Sequence, residues 1–430
     1  MGSTASEVAN LLIPLALLLT AAHVVGHLFV LFGQPRVIGE IAGGLLLGPT
    51  LFGVVAPALQ SQLFPTDGET AAVVGATYQL GLLLLMFCSG AEMRAVFRRD
   101  EARVVGLVAL IGVAVPFTVG VLAFRLVDPG PLMGEAHSRP GVLIVFALAI
   151  AVTSIPVISR IMYDLGVIES SFARVVLAVA VLEDVFVYVV LAMTLSVTDE
   201  GAHQFGVPGT SASGLLFHVT ATLGVFVVML SLGARGFSWF QRQRWNLVAR
   251  SNAIAYHLLF LFAGTLVCLG LGVTPVFGAF LAGIAVSADP APSFVQARES
   301  IKAFSFAFFV PVYFAIVGLQ LDLVRHLDIV FLAWFLVLAC VVKSSSVYAA
   351  ARLAGETSRG AQNLALATNA RGGPCIVLAS VTFAAGIISE EFYTALVMLA
   401  ILTSMVAGTM LARVVRAGAP LRDEPRAQVT

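Results

Sequence analysis

The sequence predicts an all-α polytopic membrane protein of about 13 transmembrane helices, built as two inverted-topology repeats with two crossed broken helices. Three observations predict it. The 430-residue chain is 59% hydrophobic and 11% charged, whereas a soluble domain has about 25% charged residues. Its apolar surface is therefore meant for lipid rather than for one large core. Apolar runs long enough to span a bilayer recur from end to end. Two of those runs are interrupted by Pro, Gly and polar residues at corresponding places in the two halves, a pattern that points to a binding site between discontinuous helices.

In chain order the apolar segments are 6–31, 36–53, 71–92, 102–126, 140–165, 170–197, 213–237, 250–271, 273–288, 300–320, 327–354, 360–387 and 390–417. The N-terminus lacks the basic region of a cleaved signal peptide, so Ala5–Leu31 is expected to stay as a first span. The fifth segment pairs with the twelfth and the sixth with the thirteenth. Repeat 1 then covers about 6–197, a linker helix 213–237, and repeat 2 about 250–417. Residues 1–417 form a single membrane unit and 418–430 a short cytoplasmic tail. The outer loops 54–70, 127–139 and 198–212 are short. No soluble stretch is long enough for a nucleotide-binding regulatory domain, so none is expected.

Orientation follows from the basic residues. With the N-terminus outside, nineteen of the twenty-four Lys and Arg fall on the cytoplasmic side, including Arg94, Arg98, Arg99, Arg242, Arg244, Arg250 and Arg426. Only Arg125, Arg139 and Arg325 fall on the other side. This bias predicts N-out, C-in, and with it an odd number of spans in a cell membrane. Net charge is zero, which gives no ground for a nucleic-acid or acidic partner. The four cysteines are scattered in apolar runs without a Cys-x-x-Cys, so neither a disulfide framework nor a metal site is expected.

The chain is organised around Glu183 and Asp184, adjacent carboxylates in the middle of the apolar run Phe172–Val197. A carboxylate at that depth costs on the order of 2.5 to 3.5 kcal/mol even on lenient insertion scales. Two side by side require protonation, a partner or water, and each of these describes a site that handles ions or protons. Two bases, Lys343 and Arg371, lie at similar depth. Two acids and two bases make the burial survivable, because each charge has an opposite available. Charge balance assigns Lys343 to Glu183 and leaves Asp184 to bind a cation or a proton; Arg371 is free to pair with either acid.

The two breaks supply the rest. In the fifth segment Pro156 is expected to free carbonyls near mid-membrane, with the Thr153 and Ser154 hydroxyls at the same level. In the twelfth, Gly372, Gly373 and Pro374 follow Arg371 directly. Hard cations take oxygen ligands, so Asp184, Thr153, Ser154, freed carbonyls and water form the candidate set. One carboxylate cannot hold a proton and a cation together, so alternating access of the site exchanges one for the other. His23 and His27 sit one helical turn apart but have no third ligand, so no metal and no cofactor are expected. Glu40 and Glu92 near helix ends read as caps or snorkelling groups, Asp164 with Arg160 as an interfacial pair, and Gly43–Gly44 as a close helix contact.

Gln34 to Gly43, followed by Leu47-Gly48-Pro49, resembles the second-helix signature of the monovalent cation:proton antiporter-2 family. Further stretches agree in the same order: Leu82 to Met93, Pro156 to Gly166, Leu177 to Ala192, Val276 to Gly283, Phe309 to Leu323 and Asn369 to Gly373. The resemblance implies the sodium/proton antiporter fold, with a dimerisation domain and a six-helix core that moves like an elevator, in a homodimer. It implies that Asp184 is the transport aspartate and that Lys343 pairs with the residue before it. Two departures stand out: Glu183, where members carry Asp, Asn or Gln, and Pro374-Cys375, where many carry a polar pair. Na⁺/H⁺ antiport is the leading expectation and K⁺/H⁺ exchange the nearest alternative. A membrane sensor or an enzyme using Glu183 and Asp184 as acid and base is the third.

Overall fold

The computed structural model describes residues 5–92, 101–196, 220, 224–225, 227–271, 275–287 and 291–422. Arg94, Arg98, Arg99 and Arg426, the loop 198–212, much of the first half of the linker helix and the tail beyond residue 422 lie outside the described residues. So do the side chains of Pro156, Arg160 and Asp164.

The main helices are α1 (Ala5–Leu31), α2 (Arg36–Leu47), α3 (Glu69–Ala91), α4 (Ala102–Ala123), α5 (Arg139–Ala151), α6 (Ile155–Asp164), α7 (Ser171–Ser196) and α8 (Ala234–Arg242). They continue with α9 (Ala253–Gly270), α10 (Pro275–Val286), α11 (Pro292–Phe304), α12 (Val310–Leu319), α13 (Ile329–Leu353), α14 (Ser358–Ala367), α15 (Gly373–Ala384) and α16 (Glu390–Arg416). Among the described residues, eight helices are long and apolar enough to cross a membrane, and α5, α10 and α15 are shorter apolar helices. The protein is a multi-pass, all-helical membrane protein.

Starts and stops follow local chemistry. Ser138, Asp328, Thr357 and Ser389 each cap the helix that follows by accepting backbone N–H groups. α16 carries Glu390 and Glu391 in its first turn and Arg413 and Arg416 in its last, matching the helix dipole at both ends. Two expected boundaries differ. The segment expected at 300–320 begins at Pro292 and passes through a π-helical turn, Ser305–Phe309, into α12. Pro292 at the first helical position starts it, and the charges of Arg298, Glu299 and Lys302 hide that first half from a hydropathy reading. The segment expected at 36–53 ends its main helix at Leu47, where Gly48 and Pro49 follow.

Two compact units divide the chain. The first takes residues 1–32, 36–94 and 201–325. Within it α1 packs on α2, α2 on α12, and α3 on α10. The α2–α12 contact is made backbone to backbone: a Cβ on Gly44 would fall 1.7 Å from Ala315 O, and one on Gly318 would fall 1.9 Å from Ile41 O. Only glycine permits that approach.

The second unit takes 33–35, 95–200 and 326–430. It contains α4 to α7 and α13 to α16, which are six of the apolar segments, three from each expected repeat. α4 packs against α5, α7 and α13, and α13 against α14 and α16. At one end the loops before α5 and α16 are joined by a bridge between Met133 and Ile388, with Gly134 N donating to Ile387 O at 3.0 Å.

Candidate functional site

Both broken helices lie in the second unit. The first interruption is Val152–Ser154, between α5 and α6; the second is Thr368–Gly372, between α14 and α15. Proline was expected to make the breaks, and its placement is different. Pro156 is the second residue of α6 and Pro374 the second of α15. There the missing amide hydrogen is one that a helix leaves unbonded anyway. Each proline starts the second half-helix, and the disruption lies just before it.

The two breaks clasp each other. Ser154 N donates to Ala370 O at 2.8 Å, Gly373 N to Ser154 Oγ at 2.9 Å, and Thr153 Oγ1 to Thr368 O at 2.6 Å. Ser154 Oγ also accepts from Val157 N at 3.4 Å. Ser154 was expected to offer its oxygen to a cation; with two amides on it, that oxygen also serves the crossing. A Cβ on Gly372 would sit 2.2 Å from Val157 Cγ2, so the chains cross too closely for a side chain there.

α5 ends in the interior and leaves carbonyls without helical partners. Two basic side chains take them. Arg371 Nε donates to Ala149 O at 3.0 Å and its Nη2 to Ile150 O at 2.8 Å. Lys343 Nζ donates to Ala151 O. Nη2 of Arg371 also reaches Ala339 O at 2.9 Å, and Nη1 reaches Asn369 Oδ1 at 3.3 Å. Arg371, expected to pair with one of the acids, hydrogen-bonds neither. The freed carbonyls are closer and present several lone pairs to one planar fork, and a cation at a helix C-terminus is favourable in itself.

Lys343 is fully buried and has three hydrogens to give. They go to Gly112 O at 2.9 Å, to Ala151 O, and to Glu183 Oε1 at 2.7 Å. Gly112 leaves the room this needs: a Cβ there would lie 3.0 Å from Val347 Cγ2 and 3.5 Å from Glu183 Oε1. Glu183 is thus neutralised by an ion pair with no exposed surface on either side. Asp184, one residue on, is 2% exposed and makes no ion pair among the described residues. Its Oδ1 is buried with no hydrogen-bond partner among them, as is Glu183 Oε2.

The structure therefore brings Glu183, Lys343, Thr153, Ser154, Arg371 and Gly372 to Pro374 into one buried cluster. Sequence reasoning missed Gly112, Asn369 and Ser404, whose hydroxyl donates to Arg371 O. A glycine or serine in an apolar helix carries no signal of its own. Asn369, beside the Arg–Gly–Gly run, is the one that had a signal. Other residues settle elsewhere. His23 meets Arg36 and lies 2.8 Å from Ala307 O, Glu40 pairs with Arg36 at 3.3 Å, and Glu92 with Lys302 at 2.6 Å. Among the described residues no group of three His, Cys, Asp or Glu is placed to hold a metal.

Crossed half-helices around buried, partly compensated charges are the arrangement in which transporters build a site between discontinuous helices. The chain belongs to the sodium/hydrogen exchanger family, whose transmembrane model matches residues 15–417. The Na⁺/H⁺ antiporter NhaS4 of Synechocystis is 26% identical over 94% of this chain and 96% of its own length. The Na⁺/H⁺-K⁺ antiporter GerN of Bacillus cereus is 25% identical over 92% and 94%. The K⁺/H⁺ antiporter 1 of Saccharomyces cerevisiae is 28% identical over 94% of this chain, which spans 46% of that protein. The fold is that of the sodium proton antiporter MjNhaP1 from Methanocaldococcus jannaschii, with a TM-score of 0.64 at 13% identity over 94% of this chain and 97% of that one. The family and these relatives are transporters, so the enzymatic alternative is set aside.

Proposed function

We propose that the protein exchanges Na⁺ for H⁺ across a cell membrane, with Asp184 as the group for which the two ions compete. The observation that carries this reading is the contrast inside the acidic pair. Each acid has one buried oxygen without a hydrogen-bond partner among the described residues, but Glu183 has its counter-charge in Lys343 whereas Asp184 makes no ion pair among them. A buried carboxylate in that condition takes up a proton or a cation. Thr153, carbonyls at the breaks and water complete the oxygen set for a small hard cation. Lys343 and Arg371 hold the end of α5, and Lys343 ties Glu183, the neighbour of Asp184, to it. Alternating exposure by movement of the second unit, an N-out and C-in orientation and a homodimer belong to the same proposal. The arginine bias supports the orientation, and the family resemblance supports the movement and the dimer.

K⁺/H⁺ exchange at the same site is the second reading, favoured by the names of the yeast and Bacillus relatives. One experiment separates these readings. Purified protein is placed in liposomes with a pH-sensitive dye inside, and Na⁺, K⁺ or Li⁺ is added outside. Cation-driven proton efflux that is lost in Asp184→Asn is expected, with Na⁺ the most effective ion. Efflux driven best by K⁺ would favour the second reading. No proton movement with any cation, from folded protein, would overturn both.

A further inference from the structure

A second charge cluster lies in the second unit, and the ion chemistry above does not use it. α16 stops in a Schellman turn: Gly418 takes φ +65°, Gly418 N donates to Val415 O at 3.0 Å and Ala419 N to Val414 O at 3.2 Å. Pro420 keeps the helix from resuming. The chain then turns back, burying Leu421, whose carbonyl accepts from Asn363 Nδ2 at 2.9 Å. Arg422 follows. Its Nε and Nη2 grip Glu356 Oε1 at 2.9 and 2.7 Å, and its Nη1 lies 3.4 Å from Glu101 Oε1. Arg174 Nη2 meets the same Glu101 oxygen at 3.3 Å. The Arg422 and Glu101 side chains are each 6% exposed and that of Glu356 is 9% exposed.

The placement of these residues gives the cluster its meaning. Glu101 begins α4, Arg174 lies in the first turn of α7, Glu356 joins α13 to α14, and Asn363 is on α14. Those four helices also carry the site: Gly112 on α4, Glu183 and Asp184 on α7, Lys343 on α13, and the break with Asn369 and Arg371 directly after α14. A knot of two arginines and two glutamates, balanced in charge and largely closed to water, ties their ends together. Arg422, Glu101 and Glu356 share that burial, with Arg174 28% exposed at its edge, so removing one of the three leaves an uncompensated charge.

We propose that residues 417–422 form a strap and that Arg422 is a positioning residue for ion exchange, holding α4, α7, α13 and α14 where their site residues meet. The proposal rests on exchange at Asp184, and its test has a readout that does not. Amide hydrogen exchange is followed in wild type, Arg422→Gln, Glu356→Gln and Arg422→Lys, alongside cation-driven proton flux in liposomes.

Arg422→Gln and Glu356→Gln are expected to speed exchange at residues 102–108, 171–178 and 358–364 together. They are also expected to raise the half-saturating cation concentration about fivefold or more with the maximal rate little changed, the usual range for coupling between distant sites. Arg422→Lys should recover part of both effects, because it keeps the charge but loses the fork. Faster exchange confined to residues 417–422, or a fall in maximal rate at constant half-saturation, would overturn the strap. If Arg422→Gln does not fold, Glu356→Gln decides by the same criteria. Wild type without flux would count against the transport reading alone, and the exchange pattern would still decide whether the strap exists.

Discussion

The two breaks in the second unit solve one problem with different chemistry. At the end of α5, the carbonyls of Ala149, Ile150 and Ala151 are taken by a guanidinium and an ammonium. At the end of α14, the donors to the freed carbonyls among the described residues are neutral. Asn369 Nδ2 reaches Ala365 O at 2.8 Å, Thr153 Oγ1 reaches Thr368 O at 2.6 Å, and Ser154 N reaches Ala370 O at 2.8 Å. The topology of the crossing is near-symmetric and its charge is not. Both positive groups gather at one half-helix C-terminus, on the side that also receives Glu183. A symmetric fold thus gains a polar direction from two side chains.

Four substitutions would break or sharpen that contrast. Arg371→Met removes the donor shared by three buried carbonyls and, at about 1–3 kcal/mol for each acceptor left unsatisfied, should cost about 3 kcal/mol or more in equilibrium unfolding in detergent. Arg371→Lys should recover less than half of it, since an ammonium cannot span both α5 carbonyls as the planar fork does. Ser154→Ala strips the acceptor from Gly373 N at the neutral break and should cost about 1–2 kcal/mol. Thr153→Val keeps the shape and removes one donor, so about 1 kcal/mol is expected. A loss for Arg371→Met no larger than for Thr153→Val would mean that the cationic cap carries no more weight than a hydroxyl.

Much of this was legible in the sequence. The acidic pair announces itself because charge at membrane depth is costly, and Lys343 and Arg371 announce themselves for the same reason. Both helix breaks were visible in Pro156 and in Gly372 to Pro374, although the prolines begin the second half-helices and the disruptions precede them. The partner of Arg371 was not legible. Backbone carbonyls have no residue type, so no pattern in the sequence marks the three that bind it. The second role of Ser154 was hidden in the same way, since an oxygen ligand and a clasp look alike until the facing amide is placed. The knot around Arg422 was hidden because Glu101, Arg174, Glu356 and Arg422 are far apart in the chain, and each alone reads as an ordinary charge at a helix end.

The glycine contact in the first unit has a mechanical consequence. At Gly44 and Gly318 the backbones of α2 and α12 touch with no side chain between them. Side-chain rotamers act as springs between most helices, letting them slide and tilt by small amounts. At this crossing that spring is missing, so sliding of one helix past the other meets backbone directly.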